Sequence, residues 1–210
     1  MKATCFSNGS TVGLAASIIS LIGTVTAFSQ GTITFDGAAS FSGTTYSESG
    51  MSFQVVLPRG GSSDYMGGVP GGGIYGNLPY NETPYMVFFR QNNQYSYVSL
   101  SLTGGSLFGL TLVQLGDPNS PSLSPVSISF VGYLAGGSTV TNTFNTPGSG
   151  ATTLANYSFG SGFASGLTSV DILAPKWAMD NLVFVVPEPT TTALAILGVC
   201  VGLGLRRRRS

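Results

Sequence analysis

The central part of the chain predicts an all-β fold built from two packed antiparallel sheets. Between residues 30 and 186, apolar or aromatic residues alternate with serine and threonine in short runs, and Gly, Pro, Asn or Asp bounds each run. This period of two is typical of strands with one buried face, and no window shows a capped helical period. The ten predicted strands cover residues 32–35, 51–57, 85–89, 95–102, 107–115, 126–133, 139–144, 154–159, 167–173 and 177–186. Ten strands in one domain fit a β-sandwich.

The charge of the chain is unevenly distributed. Its formal net charge is zero, but Lys2 and the four C-terminal arginines lie in the two terminal segments. The central domain then keeps Arg59, Arg90 and Lys176 against seven acidic residues. A sparse acidic surface argues against nucleic acid as a partner, because nucleic-acid-binding proteins concentrate Lys and Arg on one face.

The residue types needed for common catalytic sites are missing from the central domain. The chain has no histidine, and its two cysteines, Cys5 and Cys200, lie in the terminal segments. This excludes Ser-His-Asp and Cys-His triads and histidine-based zinc sites. A glycosidase with paired carboxylates would need two of the seven acids about 5 to 9 Å apart in a cleft, and nothing in the sequence groups them. We therefore predict no catalytic residue and no enzymatic activity, with a glycosidase as the outside alternative.

The N-terminal segment, residues 1–29, predicts a secretory signal peptide. Lys2 precedes an apolar run from about Val12 to Ala27, and the small residues Ala27 and Ser29 suit cleavage before Gln30. The alternative is a retained N-terminal membrane anchor.

The C-terminal segment, residues 187–210, has three parts in a fixed order. Pro187, Glu188 and Pro189 precede an uncharged stretch from Thr190 to Leu205, and four arginines follow, Arg206, Arg207, Arg208 and Arg209. As a helix, the uncharged stretch would reach roughly 24 Å, a little short of the hydrocarbon core of about 30 Å. The arginines resist translocation, so they would fix the C-terminus in the cytoplasm.

This three-part tail resembles the PEP-CTERM sorting signal of bacterial envelope proteins. The resemblance implies that a membrane-embedded exosortase recognises the tail, cleaves near Pro187, Glu188 and Pro189, and releases the protein to the cell surface or extracellular matrix after transient anchoring in the inner membrane. The alternative is a permanent anchor with a proline-rich linker.

A glycine-rich stretch, residues 59–77, interrupts the strand pattern and predicts a long loop between strands. As a binding loop it would offer Tyr65 and Tyr75, together with the neighbouring Tyr80, as stacking faces for a sugar. The alternative is a surface insertion without a ligand. The stretch lacks the lysine of a phosphate-binding loop.

Three further segments resemble the jelly-roll domains of PEP-CTERM proteins, which are similar to carbohydrate-binding modules. They are TITFDG followed by TYSESGMSF, PVSISFVGYLAGGSTVTNTF, and SVDILAPKWAMDNLVF. The resemblance implies a jelly-roll-like sandwich over residues 30–186, with the first and last strands side by side. It also implies a structural calcium site at Asp36 and Asp180, with Glu48 as a third ligand. Alternatively, Asp180 satisfies nearby backbone groups in a β-bulge or at a sheet edge.

The sequence as a whole predicts an exported, non-enzymatic protein of the cell envelope, cell surface or extracellular matrix. Its expected partners are the processing enzyme, the membrane during sorting and an extracellular polysaccharide. A calcium-dependent carbohydrate-binding module is the alternative. The deciding feature would be a sheet face or loop cluster on which several exposed aromatic side chains converge.

Overall fold

The structure, a computed structural model, describes residues 28–58, 64–71, 78–79, 81–90, 95–118, 125–147 and 153–188. These residues form two antiparallel sheets that pack face to face. Helical structure among them is limited to two single 3-10 turns, Asp36–Ala38 and Ser161–Phe163. The prediction of an all-β antiparallel sandwich is confirmed.

Thirteen strands build the two sheets. They are β1 (Phe28–Ile33), β2 (Ser42–Gly43), β3 (Thr45–Glu48), β4 (Met51–Val56), β5 (Tyr65–Val69), β6 (Tyr85–Phe89), β7 (Tyr97–Leu102), β8 (Gly109–Gly116), β9 (Ser127–Leu134), β10 (Thr139–Asn145), β11 (Ala155–Ser158), β12 (Leu167–Leu173) and β13 (Lys176–Pro187). One sheet has the order β11-β8-β13-β6-β5-β2, with β1 also paired to β13, and the other has the order β10-β9-β12-β7-β4-β3. All ten predicted strands are present, two of them (β6 and β12) with the predicted ends and the others with shifted ends, and β2, β3 and β5 were not predicted.

The core lies between the sheets and follows the alternation of the strands. On β7, Val98 and Leu100 point inward and are fully buried, whereas Tyr97, Ser99 and Ser101 point outward. The only tryptophan, Trp177, is buried on β13 and stacks on Phe88 with the ring centroids 5.8 Å apart. Burial of these aromatic rings supplies much of the apolar area removed from water.

The last strand, β13, is central to its sheet. It pairs with β8 along its length, with β6 over its first residues and with β1 over its last. The prediction that the first and last strands lie side by side is therefore confirmed. The pair extends to Phe28 opposite Pro187. β1 thus begins two residues before the predicted domain limit at 30, and β13 ends one residue after the predicted limit at 186.

The prediction of a continuous loop over residues 59–77 is wrong for residues 65–69. Tyr65–Val69 forms β5, which pairs with β6 and with β2. Glycine is required rather than disruptive at Gly68, since a Cβ there would lie 1.5 Å from the carbonyl oxygen of Ala38. The 3-10 turn after β1 therefore crosses β5 at a distance that only glycine allows.

The two terminal segments that were predicted to direct export and sorting lie almost wholly outside the described residues. Residues 1–27 and 189–210, including Pro189 and Arg206 to Arg209, are not described, whereas Pro187 ends β13 and Glu188 is exposed. Among the residues that the structure describes, none forms a helix long and apolar enough to span a bilayer.

Candidate functional site

The outward side of the six-stranded sheet is almost entirely polar, and we call it the polar face. Strand alternation places on it Ser52 and Gln54 of β4, Ser99 and Ser101 of β7, Ser169 and Asp171 of β12, Ser127 and Ser129 of β9, and Thr139, Thr141 and Thr143 of β10. Cross-strand hydroxyl contacts occur within it, as between Ser129 Oγ and Thr143 Oγ1 at 2.9 Å. Short hydroxyl side chains keep this face soluble without many charges.

Two tyrosines flank one carboxylate at the centre of the polar face. Asp171 on β12 lies opposite Val131 on β9 and Ser99 on β7. Tyr133 and Tyr97, each two residues along from those partners, are diagonal neighbours of Asp171 on its two sides. The Tyr133 hydroxyl donates a hydrogen bond to Asp171 Oδ2 at 3.0 Å.

The three side chains differ in exposure. Tyr133 is 39% exposed, Tyr97 is half-buried, and Asp171 is only 9% exposed although it points away from the core. The flanking tyrosines therefore shield the carboxylate from solvent while one ring remains open to it. We call Tyr97, Tyr133 and Asp171 the tyrosine–aspartate cluster.

The carboxylate raises the pKa of both phenols. For Tyr133 the main cause is its hydrogen bond to Asp171, followed by the negative charge of that residue. For Tyr97 the main cause of the raised pKa is burial, and the charge of Asp171 adds to it. Since loss of the proton would place two negative charges side by side, both hydroxyls stay protonated and remain donors.

This arrangement offers three kinds of contact in one place. The exposed ring of Tyr133 presents an apolar surface, the Asp171 carboxylate accepts hydrogen bonds, and the surrounding serine and threonine hydroxyls donate and accept them. Leu173 adds an apolar side chain that is 41% exposed on the same strand as Asp171. The set suits a ligand that has both apolar faces and many hydroxyl groups.

The predicted ligand-contact tyrosines do not form this cluster. Tyr65 is half-buried on β5, in the other sheet, and Tyr75 and Tyr80 lie outside the described residues. Tyr46 packs on the core side, with its ring centroid 5.7 Å from that of Phe35. Alternation alone could have placed Tyr97 and Tyr133 outward, but only the strand order brings both beside Asp171.

Asp180, one of the three predicted calcium ligands, is fully buried and saturated with hydrogen bonds. Its Oδ2 accepts from Asn81 Nδ2 at 2.8 Å, Thr83 Oγ1 at 2.9 Å and Asn181 Nδ2 at 3.1 Å, and its Oδ1 accepts from the Asn181 backbone N–H at 2.7 Å. Burial raises the pKa of Asp180, and these hydrogen bonds oppose the rise. The pairing of β13 with β8 shifts register after Asp180, and Asn181 has φ 46°, so the β-bulge interpretation describes the observed geometry.

The other two predicted ligands, Asp36 and Glu48, meet at Thr34. The Thr34 backbone N–H donates to Glu48 Oε1 at 2.9 Å, and its hydroxyl donates to Asp36 Oδ2 at 2.8 Å. The second oxygen of Glu48 accepts from the Tyr46 hydroxyl at 2.6 Å. Burial, and then Glu48, raises the pKa of Tyr46.

As arranged, these carboxylates do not fit a calcium site. No group of three or more His, Cys, Asp or Glu side chains within the described part of the chain is placed to hold a metal ion. The oxygens of Asp180 and Glu48 already accept protein donors, whereas calcium needs six to eight oxygens of its own. Calcium binding by Asp36, Glu48 and Asp180 stays a prediction, and it would require these hydrogen bonds to be exchanged.

The fold is similar to that of several solved structures. A family 29 carbohydrate-binding module from Piromyces equi matches with a TM-score of 0.44 and 10% identity, over 76% of this chain and 91% of that chain. The N-terminal CBM22-1–GH10 modules of endo-1,4-beta-D-xylanase 10B from Clostridium thermocellum, complexed with xylohexaose, match with a TM-score of 0.40 and 13% identity, over 75% of this chain and 27% of that chain.

A third match is the enzymatically active domain of tailspike protein 4 from bacteriophage CBA120, with a TM-score of 0.30 and 12% identity, over 66% of this chain and 18% of that chain. No protein-family model and no curated protein matches the sequence. None of these structural similarities is close enough to indicate a function for this chain.

Proposed function

We propose that the domain binds an extracellular polysaccharide on the polar face, at the tyrosine–aspartate cluster, without catalysis. The observation that carries this proposal is the hydrogen bond from the exposed Tyr133 to Asp171 in the middle of a mostly polar face that is rich in hydroxyl side chains. A sugar ring can stack on Tyr133 while its hydroxyl groups bond to Asp171 and the neighbouring serines. Long polymers suit this face because serine and threonine continue across several strands.

A non-enzymatic role is supported by how the domain uses its acids. Asp117 is 4% exposed and forms a salt bridge of 2.8 Å with Lys176, and Asp64 accepts a hydrogen bond from Ser96 while 2% exposed. Asp180 and Glu48 hold Asn81 and Thr34, as described above. Carboxylates that are held in such salt bridges and hydrogen bonds stabilise the fold, whereas a glycosidase needs two carboxylates that face one substrate.

Binding of the full-length protein to a panel of immobilised polysaccharides tests the proposal. We expect Tyr133→Ala to abolish retention of the polymer that binds the wild type, and Asp171→Asn to weaken it, because these changes remove the stacking surface and the charged acceptor. Tyr65→Ala is the discriminating variant, since Tyr65 lies in the other sheet. Loss of binding in Tyr65→Ala with full binding in Tyr133→Ala would overturn the polar face as the site.

Calcium dependence forms a separate arm of the same experiment. A calcium-dependent module would lose binding on addition of a chelator and regain it with calcium, and Asp36→Ala would reproduce the loss. Binding at the polar face alone predicts equal retention with and without the chelator. Addition of the chelator therefore distinguishes calcium-dependent binding from binding at the polar face alone.

We further propose that the protein is exported and sorted by its tail to the cell surface or extracellular matrix, with an exosortase-type enzyme and the membrane as transient partners. The tail sequence supports this proposal, as does the exposure of Glu188 directly after β13, where a processing enzyme could reach it. Phe28 and Pro187, at the two ends of the described domain, lie opposite each other.

A further inference from the structure

We propose that two copies of the protein pair edge to edge through β10, so that their six-stranded sheets join into one continuous antiparallel sheet. β10 is the longest of the four strands at the ends of the two sheet orders, with seven residues against four, two and four for β11, β2 and β3. It contains no charged residue and no proline, and its pairing with β9 is regular. Natural sheet edges are usually protected by such residues or by bulges.

The hydrogen-bond pattern shows which backbone groups face the open edge. Leu134 N–H donates to Ser138 O, and Thr146 N–H donates to Val126 O, so the pairs at both ends of the β9–β10 ladder are hydrogen-bonded pairs. Because such pairs alternate with non-bonded ones, Thr139, Thr141 and Thr143 occupy non-bonded positions opposite β9. Their N–H and C=O groups therefore point away from the sheet.

A side-chain contact confirms this direction. Asn145 also occupies a non-bonded position opposite β9. Its carbonyl oxygen accepts a hydrogen bond from the Tyr157 hydroxyl at 2.8 Å instead of one from β9. No described residue supplies an equivalent partner to the backbone of Thr139, Thr141 or Thr143 on the open side. All three are exposed, so a second strand can reach them.

The sequence of the edge is self-complementary, which identifies a second copy as the occupant. With a two-fold axis at Thr141, Thr141 faces its own copy and Thr139 faces Thr143 of the other chain. Each of these three pairs exchanges two hydrogen bonds, about six in all, and their side chains are all threonine. Between them, Val140 faces Asn142 of the other chain. Such an interface is isologous and closes at a dimer, and no like charges oppose each other across it.

The dimer would change how the polar face meets a polymer. A two-fold axis normal to the sheet keeps both polar faces on the same side, and five strand spacings of about 4.8 Å separate the two Asp171 positions, roughly 24 Å. One long polysaccharide chain could then contact both tyrosine–aspartate clusters. The pairing itself depends only on β10 and does not require that the face binds sugar.

Disulfide trapping tests the register of the interface. In the full-length chain with Cys5→Ser and Cys200→Ser, Thr141→Cys places two thiols opposite each other with Cα atoms about 5.5 Å apart, within disulfide range. We expect a reducible dimer from Thr141→Cys and from Thr139→Cys combined with Thr143→Cys. Thr45→Cys, an exposed threonine on β3 at the far end of the same sheet, should give none.

The oligomeric state of the uncrosslinked protein provides the second measurement. Wild type should sediment as a dimer, and Thr141→Lys and Thr141→Pro should sediment as monomers. Because the Thr141 N–H points away from β9, proline there leaves the intramolecular ladder intact, and circular dichroism should report unchanged β-structure. Asp171→Asn, on β12 and away from the β10 edge, should weaken polysaccharide retention and still sediment as a dimer, which keeps the two tests separate.

Three results would overturn the proposal. These are a monomeric wild type at the highest attainable concentration, a Thr141→Cys yield no greater than that of Thr45→Cys, or a covalent product formed only with a different protein.

Discussion

At the scale of single residues, one glycine and one aspartate have roles that their types alone do not reveal. Gly68 sits where the chain after β1 crosses β5, and Asp171 sits under two tyrosines on an outward face. The role of each residue depends on neighbours that are distant in sequence. Their substitution therefore gives specific predictions.

Gly68→Ala should destabilise the domain by about 1–3 kcal/mol, because the added Cβ would lie 1.5 Å from Ala38 O and the backbone must shift. Gly136→Ala is the matched control, since a Cβ there meets nothing within 4 Å. Chemical denaturation gives the free energy of unfolding for each. Equal stability of the two variants would show that the turn and β5 are not held at this distance.

Asp171→Asn should lower the pKa of Tyr133 toward the ordinary phenol value of about 10, because the charged acceptor is the main cause of the rise. In the wild type this phenol contributes stability that is present below that ordinary value and is lost as the pH rises through its higher folded-state pKa. Ultraviolet titration of phenolate absorbance, wild type against variant, measures the shift. When Tyr133→Phe is introduced into both proteins, most of the difference between their titration curves should disappear. A difference that persists would belong to another tyrosine.

At the scale of elements, the bulge in β13 binds the segment that precedes β6. Asp180 begins the bulge and binds Asn81 and Thr83, which lie just before β6. A small second apolar cluster consists of Val69, Tyr85, Val87 and Ala178, and Leu78, just ahead of this segment, packs against it. One buried carboxylate thus links a central strand to a segment about a hundred residues earlier.

Asp180→Ala should cost about 1–3 kcal/mol of unfolding free energy, because it leaves buried donors without their acceptor. Amide hydrogen exchange should also quicken for residues 81–83 more than for β7 or β12. Asp36→Ala, at an exposed carboxylate, should change both measurements little. If exchange at 81–83 stays slow in Asp180→Ala, other contacts hold the loop.

At the scale of the whole molecule, the final strand completes the sandwich directly before the predicted sorting tail. β13 brings Trp177, Met179, Leu182 and Phe184 into the core and pairs with three strands. The fold is therefore incomplete until the residues just ahead of the tail are in place. Export and folding can be examined together in the native host.

Replacing Arg206 to Arg209 with uncharged residues should weaken membrane retention and processing, because the arginines fix the topology of the tail. Glu188→Ala should block processing and leave insertion intact, since Glu188 lies outside the apolar stretch. Apparent mass and fraction location, wild type against each variant, provide the measurement. Stable full-length wild type in the inner membrane would instead indicate a permanent anchor.

The sequence by itself determined the fold class and most of the strands, because alternation and turn residues are local signals. It failed at β5, where glycine usually indicates a loop, since the reason for Gly68 is the carbonyl of Ala38 some thirty residues away. Alternation along β7 and β9 places Tyr97 and Tyr133 on an outward face, but it does not show that they meet. That convergence depends on β12 lying between β9 and β7, and strand order follows from long-range pairing rather than from any local pattern. For the same reason, only the tertiary structure could show that β10 ends its sheet with three threonines facing outward along an open edge.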